Sequence, residues 1–303
     1  MRRPDPRELF ELAPDRPPMD APVLVQALDG FLDAGSATRL ARAHLLGALE
    51  STVVARFDHD QLHDYRARRP PMLFVEDHWE SYEEPELAVH LLHDESGTAF
   101  LLLAGPEPDV QWERFVAAVE LLVGELGVRL TVGLNAIPMS LPHTRPVGVI
   151  AHASRKELIE GYEPWIGTVT VPASAGHLLE YRLGQAGRDA VGFAAHVPHY
   201  VSQTEFPAAA SALLREVGAV TGLVLPVSAL DQAATEARTA IDAQVAQSEE
   251  VQAVVTALEE QYDSFVAGRG RSLLSGDAEL PSADELGAEL ERFLAEQTGG
   301  DAG

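Results

Sequence analysis

Val23-Leu24-Val25-Gln26-Ala27-Leu28 runs into Asp29-Gly30-Phe31-Leu32-Asp33-Ala34-Gly35-Ser36, after which Ala37, Leu40, Ala41, Leu45, Ala48 and Leu49 recur at helical spacing. A short apolar run reads as a buried strand, and apolar residues three and four apart read as one face of a helix. The polar turn between them carries two glycines. Strand, turn and helix in that order form the repeating unit of an α/β protein, and the chain repeats it. Thr98–Leu103 leads through Gly105-Pro106-Glu107-Pro108-Asp109 to Trp112, Phe115, Val116, Val119, Leu122, Val123 and Leu126. Val128–Leu134 leads into Asn135–Arg145, and Ala190–Ala195 leads through His196-Val197-Pro198-His199-Tyr200 to a helix over Pro207–Val220.

Further strands are expected at Thr52–Phe57, Met72–Glu76, Leu87–His93, Val147–Ala151 and Thr168–Val171, with a helix at Ser174–Leu183. Asp94-Glu95-Ser96-Gly97 joins two of these strands as a hairpin. The alternation predicts a three-layer α/β protein with a mostly parallel, mixed sheet. The expected organisation is an N-terminal arm over 1–20, an α/β domain over 21–225, and a helical extension packed on it over 226–266. A flexible linker and an acidic amphipathic helix (Asp284–Gln297) occupy 267–303. The extension rests on Leu230, Ala234, Ala237, Ile241 and Val245, then Val251, Val255, Leu258, Tyr262 and Phe265.

Composition excludes several functions. The 303 residues include 22 basic and 47 acidic side chains, a formal net charge of −25. Phosphate backbones and anionic lipid need a cationic face, so neither nucleic acid nor membrane is expected as a partner. No cysteine is present, which removes disulfides and thiolate metal sites. The first residues lack the apolar core of a secretion signal, and no apolar run is long enough to span a bilayer, so the expectation is a soluble cytoplasmic protein.

The polar motifs cluster after strands. In an open α/β sheet, ligands bind outside the carboxyl ends of the strands. Asp33, Glu107, Arg145 and His199 are therefore expected on one rim. In Pro142-His143-Thr144-Arg145-Pro146 the prolines hold three polar groups extended. This loop is either a ligand site or an inter-strand crossing whose Arg145 pairs with a carboxylate, Asp33 or Glu107 being the nearest expected. The turn with Asp29, Gly30, Asp33 and Gly35 either offers backbone N–H groups to an anion or is a tight turn with an Asp or Ser cap. Asp64-Tyr65-Arg66-Ala67-Arg68-Arg69-Pro70 is either an anion clamp, with Arg66 and Arg69 as its forks, or a solvated turn neutralising Asp58, Asp60 and Asp64. Glu107 and Asp109 are expected to cap the following helix. The candidate pocket residues are thus Asp29, Gly30, Asp33, Gly35, Arg66, Arg69, Glu107, His143, Thr144, Arg145, His199 and Tyr200. No metal or cofactor is expected: His196 and His199 lack a zinc-site spacing, and neither a P-loop nor a dinucleotide fingerprint occurs.

As an ordered series these motifs resemble the actinobacterial branch of the proteasome-assembly-chaperone-two family, over roughly residues 20–265. The resemblance implies a fold similar to nucleoside phosphorylases, with oligomers (a homotrimer favoured) and, for most members of the branch, no assigned activity. Eukaryotic and archaeal relatives act as assembly chaperones for proteasome α-subunits, some docking through a C-terminal hydrophobic-Tyr-X tail. The residues Gly299-Gly300-Asp301-Ala302-Gly303 lack that pattern. The expected function is a non-enzymatic, oligomeric chaperone or protein-interaction role, with no catalytic residue assigned. The alternative is a nucleoside phosphorylase-like or hydrolase-like enzyme acting on a small polar or anionic substrate at the rim, with His143 or His199 moving the proton.

Overall fold

The computed structural model describes residues 4–163 and 167–272. The first apolar run is strand β2 (Val23–Asp29), preceded by a short β1 (Phe10–Leu12) and followed by helix α1 (Ala37–Ala48) and β3 (Ser51–Phe57). A separate hairpin, β4 (Met72–Val75) and β5 (His78–Tyr82), comes next. Then follow β6 (Ala88–His93), β7 (Ala99–Pro106), α2 (Trp112–Glu125), β8 (Leu130–Met139), β9 (Val149–Ala153), α3 (Ala175–Gln185) and β10 (Ala190–Pro198). The chain continues through α4 (Pro207–Thr221), α5 (Ser228–Val245) and α6 (Glu249–Ser272).

Eight strands form one sheet in the order β1-β3-β6-β7-β2-β8-β10-β9. The centre, β7-β2-β8-β10, is parallel throughout, with Leu24 opposite both Leu101 and Thr131, and Thr131 opposite Ala190. The outer pairings are antiparallel. Strands β3, β7, β2, β8 and β10 therefore point one way, and β1, β6 and β9 the other. The central strands are buried nearly end to end, as expected where helices cover both faces.

Alternation along β2 assigns the two cores. Val25 joins Ala41, Leu45, Val132, Phe193, Leu213 and Leu214, beneath α1 and α4. Leu24 joins Leu101, Leu103, Phe115, Val119, Leu179 and Leu183, beneath α2 and α3. Successive strand side chains point to opposite faces, so one continuous apolar run supplies both layers.

The structure departs from the sequence expectations at four places. The N-terminal arm is part of the sheet: β1 pairs with β3, and Leu9 and Phe10 are buried. Thr168–Val171 is not a strand but exposed irregular chain leading to α3. Met72–Val75 is a strand, but it pairs with the unanticipated β5 and lies outside the main sheet. Helix α6 runs on to Ser272, through the Gly268 start of the expected linker. The expected helix at 284–297 lies outside the described residues.

The β2–α1 turn is packed against the β10–α4 connection. Gly35 N–H donates to the Ser202 carbonyl at 2.7 Å, and Phe206 N–H donates to the Gly35 carbonyl at 2.8 Å. Gly35 has φ +64°, and a Cβ there would stand 2.7 Å from the Phe206 Cβ. Gly35→Ala should therefore cost roughly 2–4 kcal/mol, from left-handed backbone plus overpacking. Gly127→Ala has a similar φ of +66° but open space around it, and should cost only about 1 kcal/mol. Urea midpoints of the two variants check this, and equal losses would contradict the packing argument.

Candidate functional site

Because β2, β7, β8 and β10 are parallel, the loops after them all leave the same end of the sheet. Their side chains nevertheless separate into two sites, one on each side of the rim.

The first is a cavity of about 180 Å³ beyond the ends of β2 and β8, over the start of α3. Of the anticipated residues, Gly30 and Glu107 line it. Glu107 is only 9 % exposed, and its Oε1 accepts the Ala175 N–H at 2.5 Å. It thus sits on the N-terminus of α3, not on that of α2 as expected, where its charge complements the helix dipole. The polar lining also includes Gln26, Asn135, His152, Ser174, His177 and Glu180, none of which the sequence reading selected. His152 Nδ1 lies 2.9 Å from Glu180 Oε1, and the His152 and His177 rings are 5.8 Å apart. Asn135 Nδ2 lies 3.4 Å from His177 Nε2. Burial, then the neighbouring His152, holds His177 below the ordinary histidine value. The spacing His177…Glu180 on one helix was a weak available signal; His152 sits on the antiparallel strand β9, which no rule about strand ends would select.

The remaining rim residues of the β2 loop are structural. The Asp33 carboxylate accepts the N–H groups of Thr38 (2.8 Å) and Arg39 (3.1 Å), capping α1. Asp29 pairs with Arg42 at 2.8 Å. With its N–H groups taken by Asp33 and Ser202, this turn is a capped turn and not an anion nest.

The second site is the loop Pro142–Pro146, and its partners are the C-terminal helices, not Asp33 or Glu107. His143 is 5 % exposed. Its backbone N–H donates to the Tyr200 hydroxyl at 2.7 Å, which also contacts Nδ1 at 2.7 Å. On the far side of the ring, Nε2 lies 2.9 Å from Asp242 Oδ1 of α5. The Thr144 hydroxyl donates to Glu259 of α6. Arg145 grips Asp263 through Nε (2.8 Å) and Nη2 (2.6 Å), with Glu259 at 3.3 Å. The bond to Asp263 raises the arginine's affinity for its proton and lowers that of the aspartate. The loop is thus a clasp on α5 and α6.

Arg66, Arg69 and His199 are exposed, and among the described residues their side chains make no hydrogen bond or ion pair. The basic cluster is an internal brace: Arg68 bonds to the Glu107 carbonyl and pairs with Asp109 at 2.8 Å. Asp109 takes the Asp64 N–H at 2.8 Å and so ties the two loops instead of capping α2. No cluster able to hold a metal ion occurs among the described residues, nor any helix long and apolar enough to cross a membrane.

The parallel-centred α/β sheet with its flanking helices is a fold similar to that of several solved proteins. The Mycobacterium tuberculosis protein of unknown function Rv2714 is 51 % identical, with a TM-score of 0.83 over 86 % of this chain and 92 % of that one. A Corynebacterium glutamicum protein of unknown function is 38 % identical, with a TM-score of 0.82 over 86 % and 98 %. The M. tuberculosis proteasome-assembly chaperone homologue Rv2125 is 28 % identical, with a TM-score of 0.71 over 77 % and 99 %. No curated protein matches. Residues 27–245 match the PAC2 family, and the chain belongs to it.

Two outcomes follow from this geometry. Arg145→Met should leave the sheet domain folded but free α6, so limited proteolysis should cut after residue 245 faster than in the parent; unchanged cleavage would exclude the clasp. His59, His90 and His177 are each held below the ordinary histidine value, first by burial. The unfolded chain, with histidines near about 6.5, then takes up protons first. Stability is full above that value and falls as pH drops through it. Urea midpoints at pH about 7.5 and about 5.5 should show the fall, and a higher midpoint on the acidic side would contradict it.

Proposed function

We propose that this protein is a non-enzymatic, self-associating member of its family with a chaperone or protein-interaction role in the cytoplasm. The observation that carries this reading is the hairpin β4–β5. Met72, Leu73, Phe74, Trp79 and Tyr82 are 50, 52, 53, 63 and 46 % exposed, and Phe74 and Trp79 stack edge to face at 5.0 Å. A two-stranded ribbon is marginal alone in water, and a contiguous exposed apolar patch marks an interaction surface. Every folded copy carries this ribbon, so its cover must be present whenever the chain is. A second copy of the chain meets that condition, and a closed homotrimer is the favoured form. The family membership and the M. tuberculosis chaperone homologue support a role in handling other proteins. The net charge of −25 argues against nucleic acid or lipid as the partner.

A second reading, an enzyme of nucleoside phosphorylase or hydrolase type on a small polar substrate, is favoured by one observation. The His152–Glu180 pair and His177 meet at the strand-end cavity, where an imidazole beside a carboxylate can move a proton.

Light scattering at micromolar concentration should report an oligomer for the parent. Phe74→Ser with Trp79→Ser should weaken association by roughly two to four orders of magnitude, each buried aromatic contributing about 1.5–3 kcal/mol. A monomeric parent would overturn the reading.

A further inference from the structure

We propose that the cavity beneath the β2–α1 turn binds a small organic cation, a primary amine or amidine on a single-ring or short apolar body. This does not rest on the self-association reading.

The strongest observation is Gln26. It lies mid-strand in the central β2, is 6 % exposed, and lines the cavity. Among the described residues its carboxamide makes no hydrogen bond, yet its oxygen and nitrogen are not sealed from solvent as the ring nitrogens of His59 are. They therefore open on the cavity. Two glycines leave the carboxamide its room. A Cβ on Gly133 would stand 3.1 Å from the Gln26 Oε1, and one on Gly176 would stand 2.9 Å from Nε2. A carboxamide open on a cavity and bonded to nothing in the protein offers a ligand both an acceptor and a donor.

The sign of the ligand's charge follows from the lining. Glu107 and Glu180 contribute carboxylates, and among the described residues no arginine or lysine lines the cavity. Glu107 gives Oε1 to Ala175 and turns Oε2 toward Gly30, where a Cβ would stand 3.4 Å away. Glu180 shares its carboxylate with His152. An anion would meet two carboxylates and no fixed cation. An ammonium or amidinium meets acceptors from Gln26, Glu107 and Glu180.

The apolar share of the wall sets the ligand's body. Leu28, Leu134 and Ile137 form the inner wall, while Phe31 and Val171, 73 % and 61 % exposed, stand at the mouth. A dry cavity of about 150 Å³ holds benzene. The about 180 Å³ here suits one ring carrying a short polar head.

The test uses the full chain and three probes of one shape: benzylamine, benzyl alcohol and benzoate, each followed by ligand-observed NMR and calorimetry at matched ionic strength. Benzylamine should bind at least tenfold more tightly than the alcohol, and benzoate should not bind. Gln26→Leu and Glu180→Gln should each weaken benzylamine at least fivefold, while Glu250→Gln, on exposed α6, should not. Should Gln26→Leu fail to fold, Glu180→Gln and filling by Ile137→Trp carry the test. Equal binding of amine and alcohol, preference for benzoate, binding of none, or amine binding that survives Glu180→Gln and Ile137→Trp would each overturn the proposal. Phe74→Ser with Trp79→Ser separates this result from self-association, since it should leave amine binding unchanged.

Discussion

One residue, Glu107, ties the ends of the central strands together. Its N–H donates to the Asp29 carbonyl at the end of β2, and its carbonyl accepts from Arg68. Its carboxylate accepts the first N–H of α3. Four segments far apart in sequence therefore meet on one side chain and its own peptide groups. Each bond is worth about 1 kcal/mol net, but the group is buried, so losing a partner costs the larger desolvation penalty. The same side chain lines the cavity, with one carboxylate oxygen on the first N–H of α3 and the other turned toward Gly30.

On the other side of the rim, charge adds to packing. Helices α5 and α6 bury few side chains, chiefly Leu230, Val255 and Leu258. Asp231 of α5 bonds to Ser211 and Arg215 of α4, and Asp242, Glu259 and Asp263 fasten the two helices to the His-Thr-Arg loop. The acid excess of the chain is thus not only a solvated coat: part of it faces a loop whose two prolines present an imidazole, a hydroxyl and a guanidinium in sequence. Bidentate pairing suits Arg145 better than it would a lysine, because the guanidinium fork matches the carboxylate.

The layered sheet was legible because apolar runs and 3.6-residue periods repeat along the chain, and β2, α1, β7, α2, β8, β10 and α4 all follow those patterns. The shared strand end was legible for the same reason, since parallel strands put their following loops together. Partner choice was not. Arg145 was expected to meet Asp33 or Glu107, but both are engaged by helix N-termini. Its true partners sit more than a hundred residues away on α6, a distance that no local spacing encodes. Gln26 was hidden for another reason: a glutamine inside an apolar run looks like noise until Gly133 and Gly176 are seen to vacate the space beside it. The separate hairpin escaped notice because β5, with His78, Glu80 and Ser81, carries no strong apolar alternation.

The strand order also sets how the molecule can assemble in time. In the outer half, β6 and β7 are joined by a tight turn, so that pairing closes a small loop. The inner half is different: β2 pairs with β8, where Val23 meets Leu130, and the clasp waits for α6, more than a hundred residues after the loop it closes on. Non-local pairing must meet its loop-closure entropy before it returns any energy. During synthesis, β2 therefore emerges early and stays half-paired until β8 arrives. For that interval an edge of almost unbroken apolar strand is open, and this is the stretch of the chain that depends most on being shielded while it is made.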